Sequence, residues 1–362
     1  MGMSKCFFFG FSYWKRGFVK PFFTRECSRF VFSTSLKSAI SDGLDRADRI
    51  YIWGKREFPE LISYATEKGM SVYRVEDGFI RSVDLGSDLS RPYSLCVDAK
   101  GVYFDPHSGS ELERMLSDED ISDDLKKRAA DIRSAIVSGA ISKYNADSDS
   151  VDGSLRPRDG RKVILVPGQV EDDASVIYGA PGMDNRVLLE RVRRAEPDAY
   201  IVYKPHPDVS AGNRKGAIEN SVALRFCDTI VHDISIPAIL ESVDEVHTMT
   251  SLVGFEALLR GIDVHCYGMP FYAGWGLTVD SEEFPGRNRR RDIDELVACS
   301  LILYPRYIDP DTLQICDIER LLSAIAKEKY RYNNDIVYRT SRRLRRQFFR
   351  WAQNVLKAVT GE

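Results

Sequence analysis

The feature that most constrains the fold is a repeated alternation of short, almost wholly apolar segments with longer segments of helical periodicity. The apolar segments are rich in Val, Ile, Tyr and Phe, as are strands buried on both faces of a sheet. Strands are predicted at Lys5–Phe11, Ile50–Trp53, Ser71–Val75, Lys162–Val166, Tyr200–Lys204, Thr229–Val231, Glu245–Thr248 and Asp263–Tyr267. Helices are predicted between them at Glu60–Lys68, Asn185–Ala195 and Leu252–Arg260. This order predicts an α/β fold with doubly wound sheets.

A polar segment divides this pattern into two parts. Residues 143–161 are rich in Asp, Ser and Gly and include Pro157, which is typical of a linker or loop. The 362 residues of the chain also suffice for two domains. We therefore predict one Rossmann-like domain at residues 1–155, a second at 160–315, and C-terminal helices with a basic tail at 316–362. Two such domains would face each other across a cleft.

Composition argues against several classes of protein. The 51 Lys and Arg residues nearly balance 54 Asp and Glu, so the net charge of −3 gives no strong field to attract nucleic acid. The seven cysteines form no C-x-x-C pair, and we expect them to be buried and reduced in a reducing compartment. The apolar stretch Cys6–Phe11 is too short for a signal peptide, and no run reaches the ~18 apolar residues that cross a bilayer. These features predict a cytosolic or peripheral protein.

The end of the chain is basic. Residues 339–357 contain six arginines and one lysine but no acid, interleaved with Phe348, Phe349 and Trp351. Two interpretations remain open. The stretch is an amphipathic helix on an anionic membrane surface, or a helix that packs its aromatic face on the core. Nucleic-acid binding is disfavoured because no other basic patch supports it.

Four polar clusters follow predicted strands, and in α/β sheets the carboxyl ends of strands line the ligand crevice. The first contains the adjacent acids Glu76 and Asp77 before a glycine. Adjacent carboxylates in a cleft can have pKa values that differ widely, which yields an acid/base group. The alternative is a simple Asp-Gly turn.

The second and third clusters follow strands of the predicted second domain. Between Gln169 and Ser175 lie three consecutive acids, which form either a solvated loop or a carboxylate nucleophile held by neutral donors. In the third cluster, Pro205 and Pro207 fix the backbone around His206, which favours a ligand-binding role. The preceding Lys204 offers a cation for phosphate.

The fourth cluster lies at a predicted helix start. Thr250 and Ser251 are N-caps, phosphate ligands, or both, because helix N-termini present free N–H groups. Glu256, about one turn later, either reaches a ribose or lies on the surface. The aromatic segment Pro270–Thr278 either stacks on a sugar or closes the core.

No metal-binding motif is apparent. The sequence contains no His-x-x-x-His, and the Asp-x-Asp spacing of Asp147 and Asp149 lies in the predicted linker. We therefore expect no metal and no cofactor.

Taken together and in order, these clusters resemble the β-Kdo transferases of bacterial capsule assembly, the KpsC type. The resemblance covers nearly the whole chain. The matching segments are 76–82, 169–175, 203–209, 247–252, 254–261, 270–278 and 304–310.

The resemblance implies a GT-B-like fold, CMP-Kdo as donor substrate, retention at the anomeric carbon and a β-Kdo product. Residues 1–155 would form the acceptor side and residues 160–315 would bind the CMP-sugar. It points to Asp173 as the nucleophile, with Asp172 the nearest rival, and to Glu76 or Asp77 as the base. Arg81 would pair with the Kdo carboxylate. The remaining donor-binding residues would be Gln169, Lys204, His206, Pro207, Thr250, Ser251 and Glu256.

The resemblance also implies partners. The acceptor would be a Kdo-bearing glycolipid, which gives the basic C-terminal stretch a role on the anionic inner membrane. KpsC-type proteins usually carry two such modules, whereas this sequence has one, most similar to the second, so a separate Kdo transferase is an expected partner. Two alternatives remain: another CMP-sugar enzyme similar to bacterial sialyltransferases, or a non-catalytic assembly protein that binds glycolipid.

Overall fold

The computed structural model describes residues 4–82, 91–143, 155–212, 214–338 and 340–341. Most of the predicted linker and most of the predicted basic tail lie outside these ranges. Among the described residues, no helix is both long and apolar enough to cross a membrane.

The described residues form an α/β fold built on two sheets, which confirms the predicted class. All eight predicted strands are present, with ends that shift by no more than two residues. The strands are β1 (Ser4–Phe9), β2 (Cys27–Ser33), β3 (Arg49–Trp53), β4 (Ser71–Asp77), β5 (Ser94–Asp98), β6 (Val163–Pro167), β7 (Tyr200–Lys204), β8 (Thr229–Ile230), β9 (Glu245–Thr248), β10 (Asp263–Cys266), β11 (Val279–Asp280), β12 (Pro305–Ile308) and β13 (Ile315–Cys316).

The helices connect these strands, and the three predicted ones are all present. They are α1 (Tyr13–Val19), α2 (Leu36–Ser41), α3 (Pro59–Lys68), α4 (Glu111–Asp118), α5 (Asp123–Ser138), α6 (Ala174–Gly179), α7 (Asn185–Ala195), α8 (Pro207–Ser210), α9 (Asn220–Ala223), α10 (Ile236–Leu240), α11 (Leu252–Leu258), α12 (Ile293–Val297) and α13 (Ile318–Asn334). A 3-10 turn at Lys20–Phe23 and a π-helical stretch at Ala298–Leu303 complete them.

The first sheet is mixed. Its order is β13-β12-β5-β4-β3-β1-β2, and the pairs among β2, β1, β3 and β4 are parallel. Strand β5 runs antiparallel to β4, and β12 and β13 continue antiparallel beyond it. The chain thus returns to the first sheet at residues 305–316, although the division predicted from the sequence assigned residues up to 315 to the second domain.

The second sheet is parallel throughout, with the order β11-β10-β9-β6-β7-β8. Counted from β6, this is the 3-2-1-4-5-6 order of doubly wound sheets. The order reverses between β6 and β9, so the chain leaves these two strands in opposite directions across the sheet. In doubly wound sheets this switch point opens the ligand crevice.

One hydrophobic cluster joins the two sheets. Phe79, which follows β4, lies 4.4 Å from Phe271 and 6.2 Å from Phe255 between ring centres. Tyr272 and Trp275 are completely buried, and the Trp275 indole N–H donates to the Phe271 carbonyl oxygen at 2.9 Å. Of the two interpretations of this aromatic segment, the structure supports closure of the core.

The cysteine prediction is wrong at two positions. Cys6 in β1 and Cys27 in β2 form a disulfide between neighbouring parallel strands, with their Cα atoms 5.5 Å apart. The sequence offered no spacing signal, because only the sheet pairing brings these residues together. Cys96, Cys227, Cys266 and Cys299 are free and buried, as expected, and Cys316 is free but partly exposed.

Candidate active site

The predicted site residues follow strands β4, β6, β7 and β9. The last three of these strands are neighbours in the second sheet, so their loops meet at one edge. Strand β4 contributes the acidic pair from the first sheet. The hydrophobic cluster around Phe79, the first apolar residue after that pair, holds this strand end against the second sheet.

Glu76 and Asp77 are adjacent, so their side chains leave opposite faces of β4. Arg81 Nε donates to Asp77 Oδ2 at 3.0 Å, and Tyr103 Oη donates to the Asp77 carbonyl oxygen at 3.2 Å. Burial acts to raise the pKa of Asp77, but the charges of Arg81, Lys15 and further cations outweigh burial and lower this pKa. Asp77 therefore remains an ionised carboxylate at neutral pH.

Glu76 lies in a different environment. Burial and the neighbouring Asp77 charge raise the pKa of Glu76 to about 7, although Lys15 opposes the shift. Its Oε1 accepts the Asp77 backbone N–H at 2.9 Å. Two adjacent carboxylates therefore differ in protonation near neutral pH, which favours the acid/base interpretation of the first cluster over a simple turn. A carboxylate with a pKa near the working pH is suited to general acid or base catalysis.

Arg81 is only 1% exposed, and its guanidinium bonds to Ser82 as well as to Asp77. The structure uses this cation to hold Asp77 in the ionised form. The predicted pairing of Arg81 with a Kdo carboxylate stays a prediction.

Gln169 connects the loops after β6 and β9. Its Nε2 donates to Thr250 Oγ1 at 2.9 Å, and its Oε1 accepts the Thr250 backbone N–H at 2.9 Å. Its own backbone N–H donates to Asn185 Oδ1 at 2.8 Å. The buried Gln169 side chain thus fixes the start of α11 at Thr250 and Ser251. Ser251 Oγ caps this helix by accepting a hydrogen bond from Val253 N.

Asp173 is an exposed residue that caps α6. Its Oδ1 accepts hydrogen bonds from the backbone N–H of Ser175 at 3.0 Å and from Ser175 Oγ at 2.7 Å. These bonds fix the carboxylate, and Oδ2 accepts none from the described residues. The neighbouring Asp172 instead bonds to Arg214 at 3.1 Å. Asp173 is therefore the better-positioned nucleophile candidate.

His206 caps α8, with Pro207 as the first residue of that helix. Its Nδ1 accepts the Asp208 backbone N–H at 3.2 Å. Burial lowers the pKa of His206, although Asp208 opposes the shift, so the ring is neutral at pH 7. Because Nδ1 is an acceptor, the single ring proton is on Nε2, which can donate to a ligand.

Two predicted donor-binding residues are used inside the fold. Lys204 is 4% exposed, and its Nζ donates to the His232 carbonyl oxygen at 2.7 Å. Glu256 is 5% exposed, and its Oε1 accepts from Ser142 Oγ at 3.0 Å and Lys143 N at 3.1 Å. Glu256 is thus not a surface residue. Contacts of these two side chains with phosphate or ribose stay predictions.

The candidate site residues of the two sheets also influence one another electrostatically. Beyond burial, the Lys143 charge lowers the pKa of Glu76, Asp77 and His206, which come from both sheets. The Asp173 charge opposes the effect of burial at His206. The acidic pair, the nucleophile candidate and the histidine therefore share one electrostatic field.

Sequence reasoning missed Lys15, Tyr103 and Lys143. Tyr103 is partly buried, and its hydroxyl donates to the Asp77 carbonyl oxygen. Burial, followed by the charges of Glu76, Asp77 and Asp173, raises the pKa of Tyr103. Lys15 lies in α1, with Nζ 3.2 Å from the centre of the Trp53 ring. The position of Lys15 in the sequence was the available signal. Helix α1 follows the first predicted strand, and the carboxyl end of that strand also reaches the edge where the site lies.

Among the described residues, metal-ligating side chains converge at Glu245, His247 and His265. These three side chains lie along β9 and β10 rather than in the loops of the candidate active site.

The chain is similar to several known proteins. The family model described as capsule polysaccharide biosynthesis protein matches residues 48–307. The capsule polysaccharide modification protein LipA of Neisseria meningitidis is 43% identical over 327 residues, covering 90% of this chain and 46% of LipA. The lipopolysaccharide-processing protein LpsZ of Rhizobium meliloti is 37% identical, covering 89% of this chain and 74% of LpsZ. The chain spans about half the length of the first of these relatives.

Two solved structures from Thermosulfurimonas dismutans are also similar. The KpsC β-Kdo 2,7 transferase aligns with a TM-score of 0.72 and 35% identity, covering 90% of this chain and 100% of that one. The KpsC β-Kdo 2,4 transferase aligns with a TM-score of 0.77 and 30% identity, covering 90% and 99%.

Proposed function

Because the chain belongs to the capsule polysaccharide biosynthesis protein family, we propose that it is a glycosyltransferase that transfers Kdo from CMP-Kdo. The reaction retains the anomeric configuration and forms a β-Kdo linkage on a Kdo-bearing acceptor. Its role is the extension of the linker that carries a capsule polysaccharide. The two similar KpsC structures, named as β-Kdo transferases and covering nine-tenths of this chain, support the reaction class.

The observation that carries the proposal is a pair of carboxylates at strand ends of the two sheets, whose charges both act on Tyr103. Asp173 is exposed, anchored through Oδ1 by Ser175, and free at Oδ2 of hydrogen bonds from the described residues. Glu76 comes from the other sheet and has a pKa near 7. Double displacement needs a fixed nucleophile and a carboxyl group that titrates near the working pH, and Asp173 and Glu76 supply these two groups in this proposal.

In the first step, Asp173 Oδ2 attacks C2 of Kdo. The bond between C2 and the phosphate oxygen breaks, and CMP leaves with the electron pair. The product of this step is a Kdo ester of Asp173. The neutral His206 donates from Nε2 to the departing phosphate and stabilises its charge, as preorganised donors do in a partly buried site.

In the second step, the acceptor hydroxyl attacks C2 and the ester bond to Asp173 breaks. Glu76 in its ionised form takes the hydroxyl proton, and Asp77 stays ionised through its bond to Arg81. Two inversions at C2 give net retention. This assignment chooses Glu76 over Asp77 as the base, because a carboxylate whose pKa is lowered by Arg81 is the weaker proton acceptor.

The acceptor in this proposal is a Kdo-bearing glycolipid at the cytoplasmic face of the inner membrane, where the protein acts peripherally. The basic residues of the 339–357 stretch attract the anionic surface. A second Kdo transferase supplies the alternate linkage, since the similar KpsC structures are named for two different linkages.

The proposal is tested by intact-protein mass spectrometry after incubation with CMP-Kdo and no acceptor. We expect a mass gain of one Kdo that is absent from Asp173→Asn. The matched control is Asp172→Asn, the same change one residue away at a side chain that pairs with Arg214. This control should form the adduct normally.

Each other outcome has a definite meaning. An adduct that survives in Asp173→Asn but vanishes in Asp172→Asn moves the nucleophile by one residue. An adduct with a different CMP-sugar, and none with CMP-Kdo, assigns a sialyltransferase-like donor. The absence of both adduct and CMP release, even with a Kdo glycolipid present, refutes catalysis and leaves a glycolipid-binding assembly protein.

A further inference from the structure

Three side chains with metal-ligating atoms meet on one face of the second sheet. Glu245 and His247 are two residues apart in β9 and therefore point to the same face. His265 of β10 lies directly opposite His247 in the parallel register. The fold thus brings together two imidazoles and one carboxylate from neighbouring strands.

Their atoms converge closely. Glu245 Oε2 is 3.0 Å from His247 Nε2 and 3.6 Å from His265 Nε2, and all three ligand atoms lie within 4.8 Å of one another. The two rings are stacked, with centres 4.2 Å apart and planes inclined by 12°. Ligand atoms of a tetrahedral Zn²⁺ at its usual bond lengths are roughly 3.4 Å apart, between the two observed separations.

The surrounding residues resemble an outer ligand shell. Tyr267 Oη is 3.2 Å from His247 Nδ1 and accepts its proton when Nε2 binds an ion. Lys162 Nζ lies 3.0 Å from Glu245 Oε1, the carboxylate oxygen that faces away from the rings, and 2.9 Å from Glu196 Oε2. With neutral imidazoles, the two carboxylates and one ammonium leave a net charge of −1, which favours a cation.

Two of the three side chains are largely buried, and the third is accessible to an ion from solvent. The side chain of His247 is 1% exposed and that of Glu245 is 14% exposed, so packing holds both in place. His265 is 27% exposed, which gives an ion a route from solvent and leaves a fourth position for water.

We infer that Glu245, His247 and His265 bind one divalent transition-metal ion, with Zn²⁺ the ion that this nitrogen and oxygen ligand set suits best. The ion joins β9 to β10 immediately before the Thr248–Ser251 turn. It therefore stabilises the strand that carries Thr250 to the candidate active site. The earlier expectation of no metal rested on sequence spacing, which cannot reveal a pair made by strand register.

The test is isothermal titration of the full chain, stripped with EDTA, with ZnCl₂, supported by the visible absorption of Co²⁺. We expect one ion per chain, and a rise in melting temperature with Zn²⁺ because the ion binds the folded state. His265→Gln should weaken Zn²⁺ binding by about 100-fold or more, since even outer-shell changes cost 10–100-fold. The metal-free variant should melt as the metal-free wild type does.

Two further variants locate the ion. His107→Gln makes the same change at an exposed histidine elsewhere and should bind Zn²⁺ normally. His206→Gln should also bind normally, whereas loss of binding there would place the ion at the candidate active site and overturn the inference. If His265→Gln does not fold, Tyr267→Phe should still weaken binding by about 10-fold. The site is refuted if the wild type does not bind one equivalent of Zn²⁺, or if His265→Gln and Tyr267→Phe bind Zn²⁺ with unchanged affinity.

Discussion

Because its pKa is raised, Glu76 should lower the unfolding free energy of the protein once the carboxyl is ionised. The pKa of a free glutamate is 4.5, whereas burial and Asp77 raise the pKa of Glu76 to about 7. A carboxyl that binds its proton more tightly in the folded state stabilises the fold at low pH. That contribution is lost as pH rises from 4.5 to about 7. The full difference between these two pKa values corresponds to roughly 3 kcal/mol of unfolding free energy.

Glu76→Gln removes this titration and preserves the shape of the side chain. The Gln Oε1 can still accept the Asp77 backbone N–H. Partial exposure of Glu76 reduces the expected effect. Between about pH 5 and about pH 8.5 the variant should therefore gain about 2 kcal/mol of unfolding free energy relative to wild type. The same variant should lose Kdo transfer, because an amide cannot accept the acceptor proton.

The assay is urea denaturation of both proteins at the two pH values, since comparison at each pH cancels the other titrating groups. Glu67→Gln is a matched control, because that side chain is 71% exposed and its replacement should change stability by less than about 0.5 kcal/mol. If Glu76→Gln has the same relative stability at both pH values, the pKa of Glu76 is not raised. The assignment of Glu76 as a base poised near neutrality then fails.

Three further predictions concern other parts of the molecule. Arg81→Met should cost about 3 kcal/mol of unfolding free energy in urea denaturation, because it leaves the partly buried Asp77 carboxylate without its partner. Adding Asp77→Asn should recover part of that loss, and strictly additive effects of the two changes would argue against the pair. Gly168→Ala should lower the affinity for CMP measured by calorimetry and reduce the unfolding free energy by about 1–3 kcal/mol, because the added Cβ would lie 2.8 Å from Tyr203 Oη. Unchanged CMP binding would show that this loop adapts. Deletion of residues after 338 removes seven basic side chains and should reduce cosedimentation with anionic vesicles by about 10-fold or more, and equal cosedimentation would contradict a membrane role for that stretch.

Sequence reasoning predicted most of the central strands because their burial leaves a simple pattern, although it missed the wholly buried β5. Tyr200–Lys204 and Glu245–Thr248 have the predicted bounds. In the first of them, Ile201, Val202 and Tyr203 form an uninterrupted buried apolar run. Strand Cys27–Ser33 was missed because it lies at the edge of its sheet, where exposed and buried residues are mixed. The resemblance to KpsC-type proteins was confirmed, because its motifs are distributed over most of the chain.

The strand ends that form the candidate site were predictable, whereas the hydrogen bonds of each side chain were not. Strand ends gave the positions of Glu76, Asp173 and His206, because parallel strands place their carboxyl ends at one edge. Sequence could not show that Lys204 donates to a backbone carbonyl inside the fold. Nor could it show that strand register sets His265 beside His247. Both depend on contacts between segments distant in the chain, which local patterns do not encode.

The contrast between Glu76 and Asp77 shows how one strand end can produce two chemically different acids. Consecutive residues of β4 face opposite sides, so Asp77 meets Arg81 whereas Glu76 points toward Gly54. A Cβ on Gly54 would lie 3.2 Å from Glu76 Oε2, and the backbone φ of Gly54 is +56°, so glycine leaves room there for the carboxyl. The cation opposing the shift at Glu76 most strongly is Lys15, whose own charge is disfavoured by burial. Among the described residues, Glu76 has no close ion pair like the one that holds Asp77 ionised. It therefore retains a proton affinity suited to accepting a hydroxyl proton near neutral pH.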